Sequence, residues 1–573
     1  MPSNLTIRIA GEGGEGVIST GELLTTAVAR SRRDVFTFRT YPAEIKGGPA
    51  MFQLRFADHP VLSVGASFDI FMCFNEENLD IHIGEMKKNG ILVYDSTTFD
   101  PEKKAPSTAI LYGIPLSSIA AEGVGLKKAK NMVALGLLGF LTGMPRESLH
   151  ELVTEKFGKK GDEIMGKNLL AIDEGYKWGE SHKIDRDLLV PASVRKERKL
   201  IMSGNEAMSA GAIAAGCRYY AGYPITPASD ILSFMEKQLP KFGGIAVQTE
   251  DEIAAIASCV GASFAGTKSM TATSGPGLSL MAEVLGLSTM TETPVVVVDA
   301  QRSGPSTGMP TKTEQSDLSF AVNMGHGDAP RVVMAPSNVK DCFYGMVKAF
   351  YIAEKYQIPV VMLSDQSLSQ RTQTFTRPNL ENLTRTERAH AKKNGSYKRF
   401  LDTENGVSPV AFPGDEGLNF VTTGLEHDEE GHPSWSPTNH ERMSAKRYRK
   451  LEFIAKEKGF TRRYGDEHAT VGVICWGSTE GPVEEALTMA AAQGVEVKAL
   501  TIKMIEPLPD EEIRSFMTGL KHIIVPEINF TGQLAKILRA QYLFPFKSYT
   551  KCNGLPFDPE EIFARIEEVI RRA

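Results

Sequence analysis

Alternating apolar and polar residues at 5–11, LTIRIAG, predict a strand that runs into a glycine-rich turn, and residues 17–32 continue at helical spacing. Strand-like runs recur at 35–40, 50–56, 68–74, 91–95 and 109–114, followed by helical stretches at 127–142, 146–157 and 162–180. Together they make a complete α/β domain over residues 1–181, closed by a polar, charge-mixed linker at 182–200. A second set of apolar runs at 244–248, 269–272, 294–300, 331–335 and 359–364 alternates with helical segments, which predicts a doubly wound parallel sheet within residues 201–370. Periodicity fades over 371–467, where charge, Asn, Thr, Gly and Pro dominate, so an irregular linker or wrapping arm is expected there. Strands at 471–476, 495–501 and 522–526, with a helix at 483–492, restore the pattern and define a third α/β unit over 468–573. The fold class is therefore α/β and multidomain, and the absence of an internal period excludes a solenoid.

Composition narrows the function classes. The chain has 573 residues, 23% charged and 42% hydrophobic, with a formal net charge of -6. That describes a globular protein without the basic surface that nucleic acid or anionic lipid would require. The first residues lack a basic segment followed by an apolar one, and no apolar run is long enough to span a bilayer, so a cytoplasmic location and no membrane partner are expected. The six cysteines, at positions 73, 217, 259, 342, 475 and 552, are scattered singly, and no metal site is expected in this chain. Histidines 427, 432, 440 and 468 likewise match no common metal spacing.

Several stretches have residue types suited to chemistry. Gly11, Gly13 and Gly16 fit the frame G-x-G-x-x-G, but no acidic residue follows the next strand where an NAD ribose would need it, and Glu12 and Glu15 sit inside the loop. Tight strand-to-helix packing is the favoured reading there. The loop 41–49, YPAEIKGGP, carries Lys46 amid flexible neighbours, as a surface turn or as an arm bringing a cation to an anion.

The stretch 221–230, AGYPITPASD, places Tyr223, Pro224, Ile225 and Thr226 between two segments of helical character. Thr249 with Glu252 three residues later reads as a capping box, or else as a carboxylate held against a helix of small residues. Thr273, Gly275 and Pro276 belong to TSGPG, where small residues after a strand let a planar ligand approach the backbone. The loop 301–318 brings Arg302 and Thr311 off the apolar strand PVVVVDA, a donor set suited to an oxyanion.

Taken in order, GEGGEGV, YPAEIKGGP, YPITPASD, TEDE with IAAIAS, TSGPG, QRSGPSTGMPTKTEQSDL and VPEINFTGQLAK resemble the 2-oxoacid:ferredoxin oxidoreductases. The resemblance is to their α subunit with a γ-type domain fused ahead of it, and is weakest over 371–467. It implies a γ-type α/β domain, a pyrimidine-binding domain of thiamine-diphosphate enzymes and a transketolase C-terminal-like domain. It also implies thiamine diphosphate shared with a β subunit that supplies Mg2+ and a [4Fe-4S] cluster, coenzyme A as co-substrate, ferredoxin as electron acceptor and an (αβ)2 assembly. On that resemblance Glu252 is the catalytic carboxylate that hydrogen-bonds the aminopyrimidine ring. Pro224, Ile225, Thr273, Gly275 and Pro276 are its cofactor-binding neighbours, and Tyr223, Thr226, Arg302, Thr311 and Lys46 face the substrate. The fusion of γ ahead of α resembles the 2-oxoglutarate enzymes; pyruvate, branched-chain or aryl 2-oxoacids are the alternative substrates. A non-catalytic scaffold that docks the β subunit and ferredoxin is the alternative from another class.

Overall fold

Apolar, β-branched strands pair into three sheets in the computed structural model, which describes residues 3–42, 47–158, 161–194, 197–393 and 397–572. The chain divides into two compact units, Met1–Met202 with Arg371–Arg377, and Ser203–Gln370 with Pro378–Ala573.

Strands are numbered along the chain. The first unit is built on β1 (Asn4–Glu12), β2 (Asp34–Thr40), β3 (Pro49–Ala57), β4 (Phe68–Cys73), β5 (Met86–Asp95), β6 (Ile110–Ile114), β7 (Lys199–Ser203) and β14 (Thr372–Thr376). Their order is β6-β5-β4-β1-β3-β2-β14-β7. Parallel pairing from β1 out to β6 gives way to antiparallel pairing of β1 with β3 and of β3 with β2. Helices Val17–Arg30 and Lys130–Leu141 bury their apolar residues on one face, around Ile7, Leu24, Phe52 and Leu135. Phe36, Phe38, Phe68 and Phe71 fill the other face.

The turn between β1 and helix Val17–Arg30 is filled by its own side chains. Glu15 accepts the Glu12 amide at 2.8 Å and pairs with Lys130 at 2.7 Å, so a carboxylate already occupies the place where a phosphate would sit. Gly16 has φ 85°, and a Cβ there would lie 2.4 Å from Asn131. Its glycine serves close packing.

In the second unit one sheet contains β8 (Tyr219–Gly222), β9 (Ile245–Gln248), β10 (Ser269–Thr273), β11 (Val296–Gln301), β12 (Val332–Met334), β13 (Val360–Asp365) and β18 (Met504–Glu506). Their order is β18-β12-β13-β11-β10-β8-β9, parallel throughout except for β18. The doubly wound sheet expected from the apolar runs is present, with β8 as an added strand between β10 and the edge strand β9, inside the stretch that opens AGYPITP. β8 was hidden because it is only four residues long, between the Gly216–Cys217 turn and the prolines. The third sheet joins β15 (Thr461–Gly465), β16 (Val471–Cys475), β17 (Lys498–Ile502), β19 (His522–Glu527) and β20 (Lys547–Thr550) in the order β15-β17-β16-β19-β20. Trp476, Leu500, Ile502 and Phe516 pack in one core with Val297 and Leu363 of the parallel sheet and Leu278 of helix Gly275–Met290.

Residues 371–467 hold more regular structure than their composition suggests. Besides β14 and β15 they contain helix Pro437–Ile454, capped by Ser436. That helix buries Lys446 and Lys450, each 2.6 Å from the carboxylate of Glu292. Arg399 reaches the same corner and donates to the carbonyls of Thr291 and Glu292.

Helix Gly204–Ala215 opens on a capping box: Ser203 Oγ accepts the Glu206 amide, and the Glu206 carboxylate accepts the Ser203 amide at 2.8 Å. Ser203→Ala removes one side of this exchange and should lower stability by about 1 kcal/mol, read as a reduced midpoint in denaturant at constant slope.

Candidate functional site

In the parallel sheet the chain runs from β8 outward to β9 and then returns to the opposite side of β8 as β10. The connections after β8 and β10 therefore diverge, and the carboxyl ends of these strands flank the crevice where open α/β sheets bind ligands. The four stretches singled out in the sequence leave the carboxyl ends of β8, β9, β10 and β11, which are adjacent in the sheet.

The turn after β8 is held from below, where Asn205 Nδ2 donates to the Pro227 carbonyl at 2.8 Å and Ser229 N to the Ile225 carbonyl at 3.0 Å. Tyr223 and Pro224 are exposed, Ile225 and Thr226 half-buried. The turn is thus anchored at its prolines and open at its tyrosine.

After β9, Thr249 N donates to the Gly222 carbonyl, which ties this connection to the end of β8. The capping box expected from Thr249 and Glu252 is not formed. Asp251 is the N-cap, accepting the Ala254 amide at 2.8 Å, while Thr249 Oγ1 donates to the Asp251 carbonyl. The helix is Glu252–Phe264, so Glu252 is its first residue, with no capping duty. Its side chain is buried, and its carboxylate makes no hydrogen bond among the described residues. It lies instead against the first turn of helix Gly275–Met290, where a Cβ on Gly277 would come within 2.6 Å of Glu252 Oε1 and 2.0 Å of Thr273 Oγ1. TSGPG needs its last glycine because this carboxylate and this hydroxyl converge on it. Thr273 is buried, and Gly275 and Pro276 are half-buried at the same turn.

Arg302, at the end of β11, turns back toward the β8 connection and donates from Nη1 to the Thr226 carbonyl at 2.8 Å. Its Nε is buried with no hydrogen-bond partner. Burial depresses the affinity of this guanidinium for its proton, and the charges of Asp317 and Asp299 oppose that effect. Beyond Arg302 the loop folds on itself through a Ser303–Met309 bridge and the Ser303 amide on the Lys312 carbonyl, leaving Thr311 buried. Gln315 then clamps the loop to the third sheet: its Nε2 donates to the Trp476 carbonyl, its Oε1 accepts the Ile528 amide, and its carbonyl accepts Asn529 Nδ2. Gln533 adds a bond to the Ser316 carbonyl. This clamp accounts for the INFTGQ turn, whose Phe530 is left exposed.

The structure thus joins Arg302 with Thr226, and Glu252 with Thr273 and Gly275–Gly277. Lys46 lies outside the described residues. Sequence reasoning missed Asp299, fully buried in β11, and Asp317, half-buried at the start of helix Leu318–Asn323, whose charges bear on Arg302; an aspartate inside the otherwise apolar run VVVVDA was the available signal. Among the described residues no group of three His, Cys, Asp or Glu side chains is arranged to hold a metal, and no helix is long and apolar enough to cross a membrane.

Three family models match in tandem. Pyruvate ferredoxin/flavodoxin oxidoreductase covers residues 6–178; pyruvate flavodoxin/ferredoxin oxidoreductase, thiamine diP-bdg, covers 210–446; and pyruvate:ferredoxin oxidoreductase core domain II covers 469–562. The 2-oxoglutarate oxidoreductase subunit KorA of Mycobacterium tuberculosis is 34% identical over 98% of this chain and 90% of its own length. The chain belongs to the 2-oxoacid:ferredoxin oxidoreductase family. The α subunit of 2-oxoacid:ferredoxin oxidoreductase 2 from Aeropyrum pernix is 30% identical over 99% of this chain and 98% of its own. Among solved structures, 2-oxoglutarate:ferredoxin oxidoreductase from Magnetococcus marinus, described with 2-oxoglutarate, coenzyme A and succinyl-CoA bound, is 44% identical, matches all of both chains and has a TM-score of 0.95. The multidomain α/β architecture and the oxidoreductase class of this family member agree with the sequence reading.

Proposed function

We propose that this chain is the oxoacid-binding subunit of a thiamine-diphosphate-dependent 2-oxoglutarate:ferredoxin oxidoreductase. The reaction converts 2-oxoglutarate and coenzyme A to succinyl-CoA and carbon dioxide, with two electrons passing to ferredoxin. The carrying observation is Glu252, a buried residue packed against the glycine turn at the β8/β10 crevice, for whose carboxylate no hydrogen bond is found among the described residues. A carboxylate in that state suits the ring nitrogen of an aminopyrimidine, and the glycines at 275 and 277 leave room for a flat ring against the backbone. When bound, thiamine diphosphate supplies the nucleophilic carbon and the electron sink for decarboxylation.

The residues of this chain have separate tasks. Glu252 holds a proton at the aminopyrimidine ring and keeps the cofactor in its reactive tautomer. Pro224, Ile225, Thr273, Gly275 and Pro276 wall the ring and keep water from it. Arg302, positioned by the Thr226 carbonyl, meets the carboxylate of the oxoacid with its remaining N–H groups, and Thr226, Thr311 and Tyr223 supply hydroxyl donors around the same substrate. Lys46 carries a cation for the distal carboxylate or for coenzyme A. The β subunit contributes the diphosphate and Mg2+ site and the [4Fe-4S] cluster that receives the electrons. The preference for 2-oxoglutarate rests on the full-length likeness to the Magnetococcus marinus enzyme and to the mycobacterial KorA.

The test is coenzyme-A-dependent viologen reduction by this chain co-expressed with its β subunit, across 2-oxoglutarate, pyruvate, branched-chain and aryl 2-oxoacids. The highest kcat/KM should be with 2-oxoglutarate; turnover with none of them overturns the proposal. Arg302→Ala should raise the oxoacid KM about 10- to 100-fold with a smaller change in kcat, the loss of a charge-assisted contact of ~1.5–3 kcal/mol. An unchanged KM would remove Arg302 from substrate binding and favour the scaffold reading.

A further inference from the structure

The loop 301–318 doubles back on itself after β11, and one buried carboxylate joins its two limbs. Glu314, 5% exposed, lies on the returning limb. Its Oε2 accepts the Gly304 amide of the outgoing limb at 3.2 Å and Ser316 Oγ at 2.9 Å. Its Oε1 accepts the Cys552 thiol at 2.9 Å, from the segment that follows β20 of the third sheet. The same segment supports the loop at two further points. Thr313 N donates to the Gly554 carbonyl at 3.3 Å, and a Cβ on Gly554 would lie 2.8 Å from Lys312 Cβ. A buried carboxylate is tolerated where donors meet it, and here all three donors are neutral groups, two from the loop itself and one from outside it. Gly304 is two residues beyond Arg302, and a Cβ there would meet nothing within 4 Å, so packing does not hold this glycine and the bond to Glu314 does.

We propose that Glu314 is a positioning residue for the oxoacid site, fixing the stem of the loop so that Arg302 presents its guanidinium to the oxoacid carboxylate, with Cys552 as the strut that ties Glu314 to the third sheet. The inference rests on the proposed role of Arg302 as the carboxylate holder. Arg302 is held at both ends of its reach. Its Nη1 on the Thr226 carbonyl at 2.8 Å fixes the head of the side chain, and the Ser303 amide on the Lys312 carbonyl with the Gly304 amide on Glu314 fixes the backbone behind it. Without Glu314 the stem is free to turn at Gly304, and a guanidinium displaced by about 1 Å loses its paired contact with a carboxylate. The rest of the loop keeps its own anchors, Thr313 Oγ1 on Asp365 and Gln315 on Trp476 and Ile528, so the effect is local. Cys552 is suited to the strut because it stays protonated: the bond to Glu314, with burial, pushes its thiol up to about 11. The other five cysteines are buried, which makes Cys552 the one exposed thiol among the described residues.

The test uses the complex with the β subunit and 2-oxoglutarate. Glu314→Ala should raise KM about tenfold with kcat within about twofold of wild type. Glu314→Gln keeps a carbonyl oxygen for the Gly304 amide and Ser316 Oγ, and should hold KM within about threefold of wild type. Labelling gives a readout apart from turnover. With a maleimide at about pH 8, followed by mass spectrometry of the peptide that holds Cys552, Glu314→Gln should react about tenfold faster than wild type, because the thiol falls back toward its ordinary range and the thiolate is the nucleophile. An unchanged KM in Glu314→Ala, a KM in Glu314→Gln as high as in Glu314→Ala, or equal labelling rates overturns the proposal. Should Glu314→Ala fail to assemble, Cys552→Ala takes its place: KM should rise about threefold, and Cys552→Ser, whose hydroxyl donates as the thiol did, should bring it back. No rise in Cys552→Ala then overturns the proposal. Arg302→Ala separates the two readings. If it leaves KM unaltered, the carboxylate-holding reading of Arg302 fails; if it raises KM while Glu314→Ala does not, that reading stands and the positioning role of Glu314 falls.

Discussion

Glu252→Gln should lose 2-oxoacid-dependent viologen reduction by about 10²- to 10⁴-fold in kcat while assembling with the β subunit as the wild type does. The two halves of this expectation have separate causes. The carboxylate makes no hydrogen bond among the described residues, so an isosteric amide leaves no protein partner unsatisfied and the helix keeps its cap through Asp251. In the function proposed above, an amide cannot take up and return the proton that an aminopyrimidine ring would require. The neighbouring acids provide the control. Glu250 is exposed, and Asn at 251 caps a helix as well as Asp does, so Glu250→Gln and Asp251→Asn should retain near wild-type turnover. Normal turnover in Glu252→Gln would take this residue out of the mechanism.

Glu292→Gln should destabilise the folded chain by about 3–5 kcal/mol, measured as a lowered midpoint of chemical denaturation. Glu292 sits at φ 48° in the turn after helix Gly275–Met290, fully buried, and its two oxygens hold Lys446 and Lys450 at 2.6 Å each. Those cations, with Arg399, hold its carboxyl far below the usual range against the effect of burial. Replacing the carboxylate alone leaves two ammonium groups facing one another without a counter-charge. Replacing all three with apolar residues, as Glu292→Leu with Lys446→Met and Lys450→Met, should recover most of the loss. The cluster also has a pH signature. Burial and the charge of Lys446 bring the Lys450 ammonium down to about 7, although Glu292 opposes them. A lysine whose folded value lies below its unfolded one binds fewer protons when folded, so stability should rise with pH from about 7 toward the ordinary lysine range near 10.5. That rise should be missing in Lys450→Met.

Local pattern was enough to find most elements of both units. The strands at β1, β3, β10, β11 and β13, and helices such as Arg146–Phe157, lie within a few residues of where periodicity puts them. Each carries its own signal: β-branched residues in short runs, apolar residues at helical spacing, glycine or proline at the ends. The site was legible for the same reason. Loops that follow parallel strands at their carboxyl ends keep their small, polar and proline residues in contiguous words, so YPITP, TSGPG and QRSGPSTG could be read without knowing which strands are neighbours.

What the sequence by itself determined, then, was the α/β class, the order of the strands along the chain and the stretches that follow the four neighbouring strands of the candidate site. Only tertiary structure decided which carboxylates matter. In TEDE three acids stand side by side, and it is burial against Gly277 that separates Glu252 from Glu250 and Asp251. HERMSAKRYRKLEFI belongs to the charge-rich stretch expected to be an irregular linker or wrapping arm, yet it is helical and its Lys446 and Lys450 are interior because Glu292, more than 150 residues earlier, is there to receive them. Asp299 is fully buried in a strand whose neighbours are apolar, and nothing local marks it as interior. Charge in a protein takes its meaning from what surrounds it, since desolvation and opposite charges act through space. The sequence records which groups are present along the chain, and the fold decides which of them have lost their water and to whom they turn.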